Sequence, residues 1–162
     1  MLNFLSCREM SQPLRLVLDT NVVMALWHFE DPKLAGLWAL IDEKRADLFT
    51  RRDCLEELQR VLAYRQFAIE PARQIELYAA YVARAHCLPD ADEAQLTFAA
   101  SLPKCKDRDD QKFVSLAWDA GAHVLVTRDK LVLGLSRKTP LRDKLAILTP
   151  ERLQQFLGST SP

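Results

Sequence analysis

The sequence predicts an α/β fold, a parallel sheet covered by helices on both faces, and three observations carry that prediction. Short apolar runs alternate with amphipathic helical patterns along 162 residues, the order that builds parallel strands through helical crossovers. Apolar residues make up 49% of the chain, enough to bury a core. The longest apolar runs, such as 16–18 and 124–126, fall far short of the ~20 residues of a membrane span, so no membrane partner is expected. The length suits one domain, expected over 14–157, with a loose lead-in at 1–13 and a tail at 158–162. The lead-in holds Arg8 and Glu9 but no apolar h-region, so it does not read as a secretory signal.

The elements follow in order. Residues 15–19 form an apolar run with β-branched Val17 at its centre, a buried parallel strand ending at Asp19. Thr20 or Asn21 can cap the helical pattern that begins at Val22. Pro32 resets the chain, and Leu34, Leu37, Trp38, Leu40 and Ile41 recur at helical spacing. Residues 47–50 suit a second strand. Asp53 opens a helix with Leu55, Leu58, Val61 and Leu62 on one face, and Pro71 starts another through Ile75, Tyr78 and Val82. Residues 88–106 show no clear period. A further helix spans about 109–120 and ends at Gly121, followed by the clearest strand, 123–127. A strand at 144–148 leads to Thr149, Pro150 and Glu151, a cap and N1 proline that start the last helix. In such sheets the site lies outside the carboxyl ends of the strands. Asp19 ends one strand and Asp129 sits just past another.

Charge and cysteines narrow the chemistry. Lysine and arginine (22) balance aspartate and glutamate (22), so nucleic acid can be held only by local basic patches. Cys7, Cys54, Cys87 and Cys105 lack a C-x-x-C pair and read as reduced cytosolic thiols, which sets the expected location in the cytoplasm. His28, His86 and His123 show no ligand spacing. Trp27 and Trp38 sit in apolar helical patterns and read as packing or dimer residues.

The acids carry the functional reading. Asp19 would emerge at a strand's carboxyl edge, although an Asp there also caps helices. Glu56 falls nearly opposite the apolar arc of its helix, as a solvated charge would, whereas Glu57 lies at its flank beside Val61. Asp107, Asp109 and Asp110 exceed what one helix cap needs. Asp110 shares the face of Phe113, Val114 and Ala117, Asp109 lies at the opposite margin, and Asp107 suits a cap or a peripheral ligand. Asp129 alone would be a turn residue. Together, Asp19, Glu57, Asp110 and Asp129 would repel one another without a cation, and oxygen donors without His or Cys suit Mg²⁺ or Mn²⁺. The basic residues Arg51, Arg52, Lys104, Lys106, Arg108, Arg128 and Lys130 are interleaved with the acids and could hold flanking phosphates, and Tyr64 could stack on a base or sit at the core's rim.

The segments Leu18-Asp-Thr-Asn-Val22, Glu57-Leu58, Asp107-x-x-Asp110 with Phe113 and Ala117, and Val126-Thr-Arg-Asp129 resemble the PIN domain. They are most similar to the toxin branch of bacterial toxin–antitoxin pairs, the VapC-type toxins. The resemblance covers about 14–157 and implies a three-layer α/β/α sandwich around a central, mostly parallel five-stranded sheet. It also implies a metal-dependent endoribonuclease acting on single-stranded RNA. Carried over by position, Asp19, Glu57, Asp110 and Asp129 form the catalytic set. Asp19, Asp110 and Asp129 then hold the ion, with Thr20, Asn21, Asp107 and Thr127 as accessories. Arg108, Arg128 and Lys130 are the expected RNA-phosphate contacts. A small antitoxin protein and a homodimer are allowed partners, neither of them required by the resemblance. The chain departs from the family after Asp129, where Lys130-Leu-Val-Leu stands in place of another polar residue and a Leu-Leu or Phe. A PIN-like scaffold without catalysis is the first alternative. A strand ending in Asp is also similar to haloacid-dehalogenase-like phosphatases, but those need a second Asp where this chain has Asn21.

Overall fold

A computed structural model describes residues 12–159; the lead-in expected at 1–13 and the last residues of the tail fall largely outside them. Strand β1 (Leu14–Leu18) runs straight into the short helix α1 (Thr20–Val23) and a π-helical turn, Met24–His28. A 3-10 turn, Pro32–Leu34, leads to α2 (Ala35–Asp42), β2 (Ala46–Arg51) and α3 (Arg52–Leu62). After α4 (Pro71–Val82) come β3 (Ala85–Leu88) and α5 (Glu93–Ala99). The chain finishes with α6 (Gln111–Asp119), β4 (Val124–Val126), α7 (Lys130–Leu133), α8 (Leu141–Lys144), β5 (Ala146–Leu148) and α9 (Pro150–Ser159).

The five strands pair in the order β3-β2-β1-β4-β5, and every pairing is parallel. The sheet expected as mostly parallel is therefore entirely so. Side chains alternate across β1, which places Leu16 and Leu18 on one face and Val17 on the other. The first face packs against Leu37, Leu55, Leu58, Tyr81 and Leu153 from α2, α3, α4 and α9. The second packs against Phe113, Val114, Ala117, Val132 and Leu141 from α6, α7 and α8. Helices thus cover both faces, as the buried central strands require. Leu16, Val17, Val124 and Leu125 are wholly buried.

The strand order fixes where a site can form. From β1 the chain moves outward to β2 and β3, then returns across to β4 on the other side of β1. The switch point lies between β1 and β4, where helices leave in opposite directions and open a crevice at the strands' carboxyl ends. Leu18 is paired with Val126 there.

Four elements escaped the sequence reading: β3, α5 and the four-residue helices α7 and α8. Strand β3 is an edge strand whose residues are half-buried or exposed, so it lacks an apolar signature. Helix α5 buries no residue and is set by a capping box between Asp92 and Gln95, so its pattern has no apolar period. The strand expected over 144–148 is shorter, because Lys144 still belongs to α8.

Candidate active site

The end of β1 is tied to the end of β4 by the backbone. Asp19 N–H donates to the Val126 carbonyl at 2.9 Å, which holds the Asp19 side chain over the switch point. Asp19, not Thr20 or Asn21, occupies the N-cap position of α1, with extended backbone. The residue is only 4% exposed, and its carboxylate Oδ2 accepts a hydrogen bond from Thr127 Oγ1 at 2.7 Å. Thr127 is fully buried, and the same hydroxyl accepts from Asp129 N–H at 3.0 Å. One hydroxyl thereby registers two acids from two strands. Asp129 is half-buried and caps α7, its Oδ1 accepting from Leu131 N–H at 2.7 Å.

The other two acids come from helices on opposite faces of the sheet. Glu57 is half-buried at the flank of α3, and Glu56 beside it is exposed. Glu57 Oε2 accepts from Thr20 Oγ1, and Oε1 accepts from Lys112 Nζ at 2.8 Å. Asp110 stands at the N-cap of α6, half-buried, and makes no side-chain cap bond. Asp107 and Asp109 are exposed, and Asp107 Oδ1 accepts from Asp109 N–H at 2.9 Å, a local turn.

The four acids lie within electrostatic reach of one another. Burial raises the Asp110 carboxyl to about 7, assisted by the negative charges of Asp19, Asp129, Asp107 and Glu57. Burial also raises Asp19; the bond from Thr127 opposes it, and Glu57 and Asp129 add to it. The structure therefore brings together Asp19, Glu57, Asp110 and Asp129, with Thr20 and Thr127 bonded to them. Asn21 is exposed, and its Oδ1 accepts from Arg128 N–H at 3.4 Å.

The basic residues divide. Arg108 and Lys130 are exposed near the acids in sequence. Arg128 is exposed but donates to Glu151 at 2.6 Å and to Asp31 at 3.4 Å. Arg51 corrects the expectation of a phosphate contact: it is 5% exposed and paired with the buried Asp119 at 3.0 Å. Arg52 pairs with Asp90 at 2.7 Å, and Lys104 is bonded to the Ala99 carbonyl at 2.9 Å. Lys106 is exposed. Tyr64 is 51% exposed and stacks on Phe67, whereas Trp27 is buried edge-on between Trp38 and Tyr81. Lys112 is the functional candidate that sequence reasoning missed; its only signal was its place two residues after Asp110.

The sequence pattern described as the PIN domain matches residues 15–131. The chain belongs to the PIN domain family. PIN domains are nucleases as a class and generally depend on divalent metal ions. This PIN domain has the fold of PAE2754 from Pyrobaculum aerophilum, a solved structure with a TM-score of 0.59 over 90% of each chain at 18% identity. No curated protein matches the sequence. The donor set fits a hard divalent cation, since oxygen acids that raise one another's pKa gain most from a positive charge between them. Among the described residues, no three His, Cys, Asp or Glu side chains stand close enough to ligate one ion directly. Water-mediated ligation, which magnesium favours, tolerates that spacing.

Proposed function

We propose that this PIN domain is a Mg²⁺- or Mn²⁺-dependent endoribonuclease that cleaves single-stranded RNA and acts in the cytoplasm as the toxin of a toxin–antitoxin pair. The observation that supports the nuclease reading is the hydrogen-bonded link of Asp19 to Asp129 through Thr127 and of Glu57 to Thr20, the residue after Asp19, with Asp110 in electrostatic reach of all three acids. The narrower reading, RNA and the toxin role, is supported by the similarity of the four acidic segments to VapC-type toxins. A small antitoxin protein and a second copy of the chain are the partners that follow from it.

Asp19, Asp110 and Asp129 would hold the ion, which when bound supplies a Lewis acid that activates water and offsets charge on the scissile phosphate. Thr127 orients Asp19 and fixes the backbone of Asp129, so the two acids keep one geometry. Glu57 sits beside them with both oxygens bonded, which holds its charge at the pocket wall. Arg108 and Lys130, being exposed, can meet the phosphates that flank the cleaved bond. Arg128 joins them only by exchanging its contacts with Glu151 and Asp31 for phosphate.

The test offers the purified protein single-stranded RNA, double-stranded RNA, single-stranded DNA and a small phosphomonoester, each with Mg²⁺ or Mn²⁺. Internal cleavage of single-stranded RNA alone is the expected result. Preferential cleavage of DNA would overturn the RNA assignment, and hydrolysis of the phosphomonoester without RNA cleavage would overturn the nuclease itself.

A further inference from the structure

Lys112 lies inside the acid pocket. It is the second residue of α6, and its side chain is only 14% exposed. The ammonium donates to Glu57 Oε1 at 2.8 Å and to the Asp109 carbonyl at 2.7 Å. Its carbon chain leaves Nζ 5.4 Å from the centre of the Phe113 ring. Burying a long, flexible, charged side chain costs rotamer entropy and desolvation, so surface solvation does not explain this placement. Its partner Glu57 is comparably covered, at 17% exposure. The second Glu57 oxygen is taken by the Thr20 hydroxyl. Both ends of that carboxylate are therefore engaged by the protein itself.

Asp110 contrasts with Glu57. Its side chain makes no bond to its own helix, and burial and four acidic neighbours act on it. The uncompensated charge of the pocket thus lies toward Asp19, Asp110 and Asp129, whereas the Glu57 side already has a cation. A divalent ion directly on Glu57 would have to displace an ammonium bonded on two sides or share the carboxylate with it at close range.

We propose that Lys112 is a positioning residue and a resident cation, which fixes Glu57 between α3 and α6 and confines the pocket to one divalent ion at the Asp19, Asp110 and Asp129 end. This rests on the metal-dependent nuclease reading above. Lys112 acts through Glu57, and its removal unmasks a carboxylate that can then draw metal.

Mn²⁺ titration of the full chain by calorimetry, without RNA, tests this directly. The wild type is expected to take one Mn²⁺ per chain. Lys112→Met is expected to take a second ion, or to bind the first on the order of tenfold more tightly, because one fixed positive charge has left the pocket. Lys112→Arg should keep the wild-type stoichiometry, and the double variant Lys112→Met with Glu57→Gln should return toward wild-type affinity. Unchanged stoichiometry and affinity in Lys112→Met overturn the proposal and leave the nuclease reading standing. Two ions per chain in the wild type also overturn it, and that result holds even where Lys112→Met does not fold. A wild type that binds no Mn²⁺ overturns both.

Discussion

Asp110 collects negative charge that the fold does not neutralise. Burial comes first, then the charges of Asp19, Asp129, Asp107 and Glu57, and together they bring its carboxyl from the ordinary 3.8 to about 7. The folded state therefore binds this proton more tightly than the unfolded chain does. Between those two values, rising pH costs stability, and the cost is complete above about 7. The melting temperature of the protein in EDTA should accordingly rise as pH is lowered from about 8 to about 6, and saturating Mg²⁺ should flatten that slope. Thermal melts with and without chelator check this; an EDTA melt independent of pH would remove Asp110 from the shared pocket. Thr127 joins two of the acids through one hydroxyl. Thr127→Val keeps the shape but leaves Asp19 without its donor and Asp129 N–H without its acceptor. Metal affinity or cleavage should drop by roughly 10–100-fold, with about 1–3 kcal/mol of stability lost, read by Mn²⁺ titration and denaturant unfolding. At this scale the sequence was informative where helical geometry decides: the α3 arc separates exposed Glu56 from half-buried Glu57. It misplaced Arg51 as a phosphate contact and passed over Lys112, because a basic side chain reads as solvated until its partner, Asp119 or Glu57, is known.

The elements were legible in proportion to what they bury. β1, apolar but for Arg15, and the wholly apolar β4 lie in the middle of the sheet, and α6 is bounded by its acidic start and by Gly121. Gly121 has φ of +58°, the left-handed conformation that ends the helix and turns the chain into β4. A Cβ there would meet nothing within 4 Å, so only backbone strain opposes a side chain. Gly121→Ala should cost about 1 kcal/mol in denaturant unfolding, and cleavage per folded molecule should stay unchanged. β3 and α5 stayed hidden for the converse reason, since an exposed edge strand and a helix with no buried face leave no period to detect. β3 pairs only with β2 and nothing continues the sheet beyond it among the described residues.

For the whole molecule, topology does the work that composition cannot. Zero net charge gives no general attraction to a polyanion. The crossover from β3 back to β4 opens a crevice beside β1, and the acids gather there because the strands on either side of it end in Asp19 and in the 127–129 loop. RNA binding should then rest on a few local contacts such as Arg108, Arg128 and Lys130. With about three phosphates neutralised at about 0.7 each for single strands, log Kd should rise with log salt at a slope near 2. Fluorescence anisotropy of a labelled RNA with Asp19→Asn across a KCl series measures that slope, and a slope several times steeper would mean a basic surface that the account does not contain.

Asp19 is the most buried of the acids at the switch point, the group proposed to hold the metal ion for RNA cleavage. The most direct measurement is the single-turnover cleavage rate of a single-stranded RNA by wild type and Asp19→Asn, with Mn²⁺ and then with excess EDTA. Cleavage by the wild type that EDTA abolishes, and a fall of at least about 100-fold in Asp19→Asn, is the predicted result. Cleavage that survives EDTA, or an Asp19→Asn variant as fast as the wild type, would contradict it.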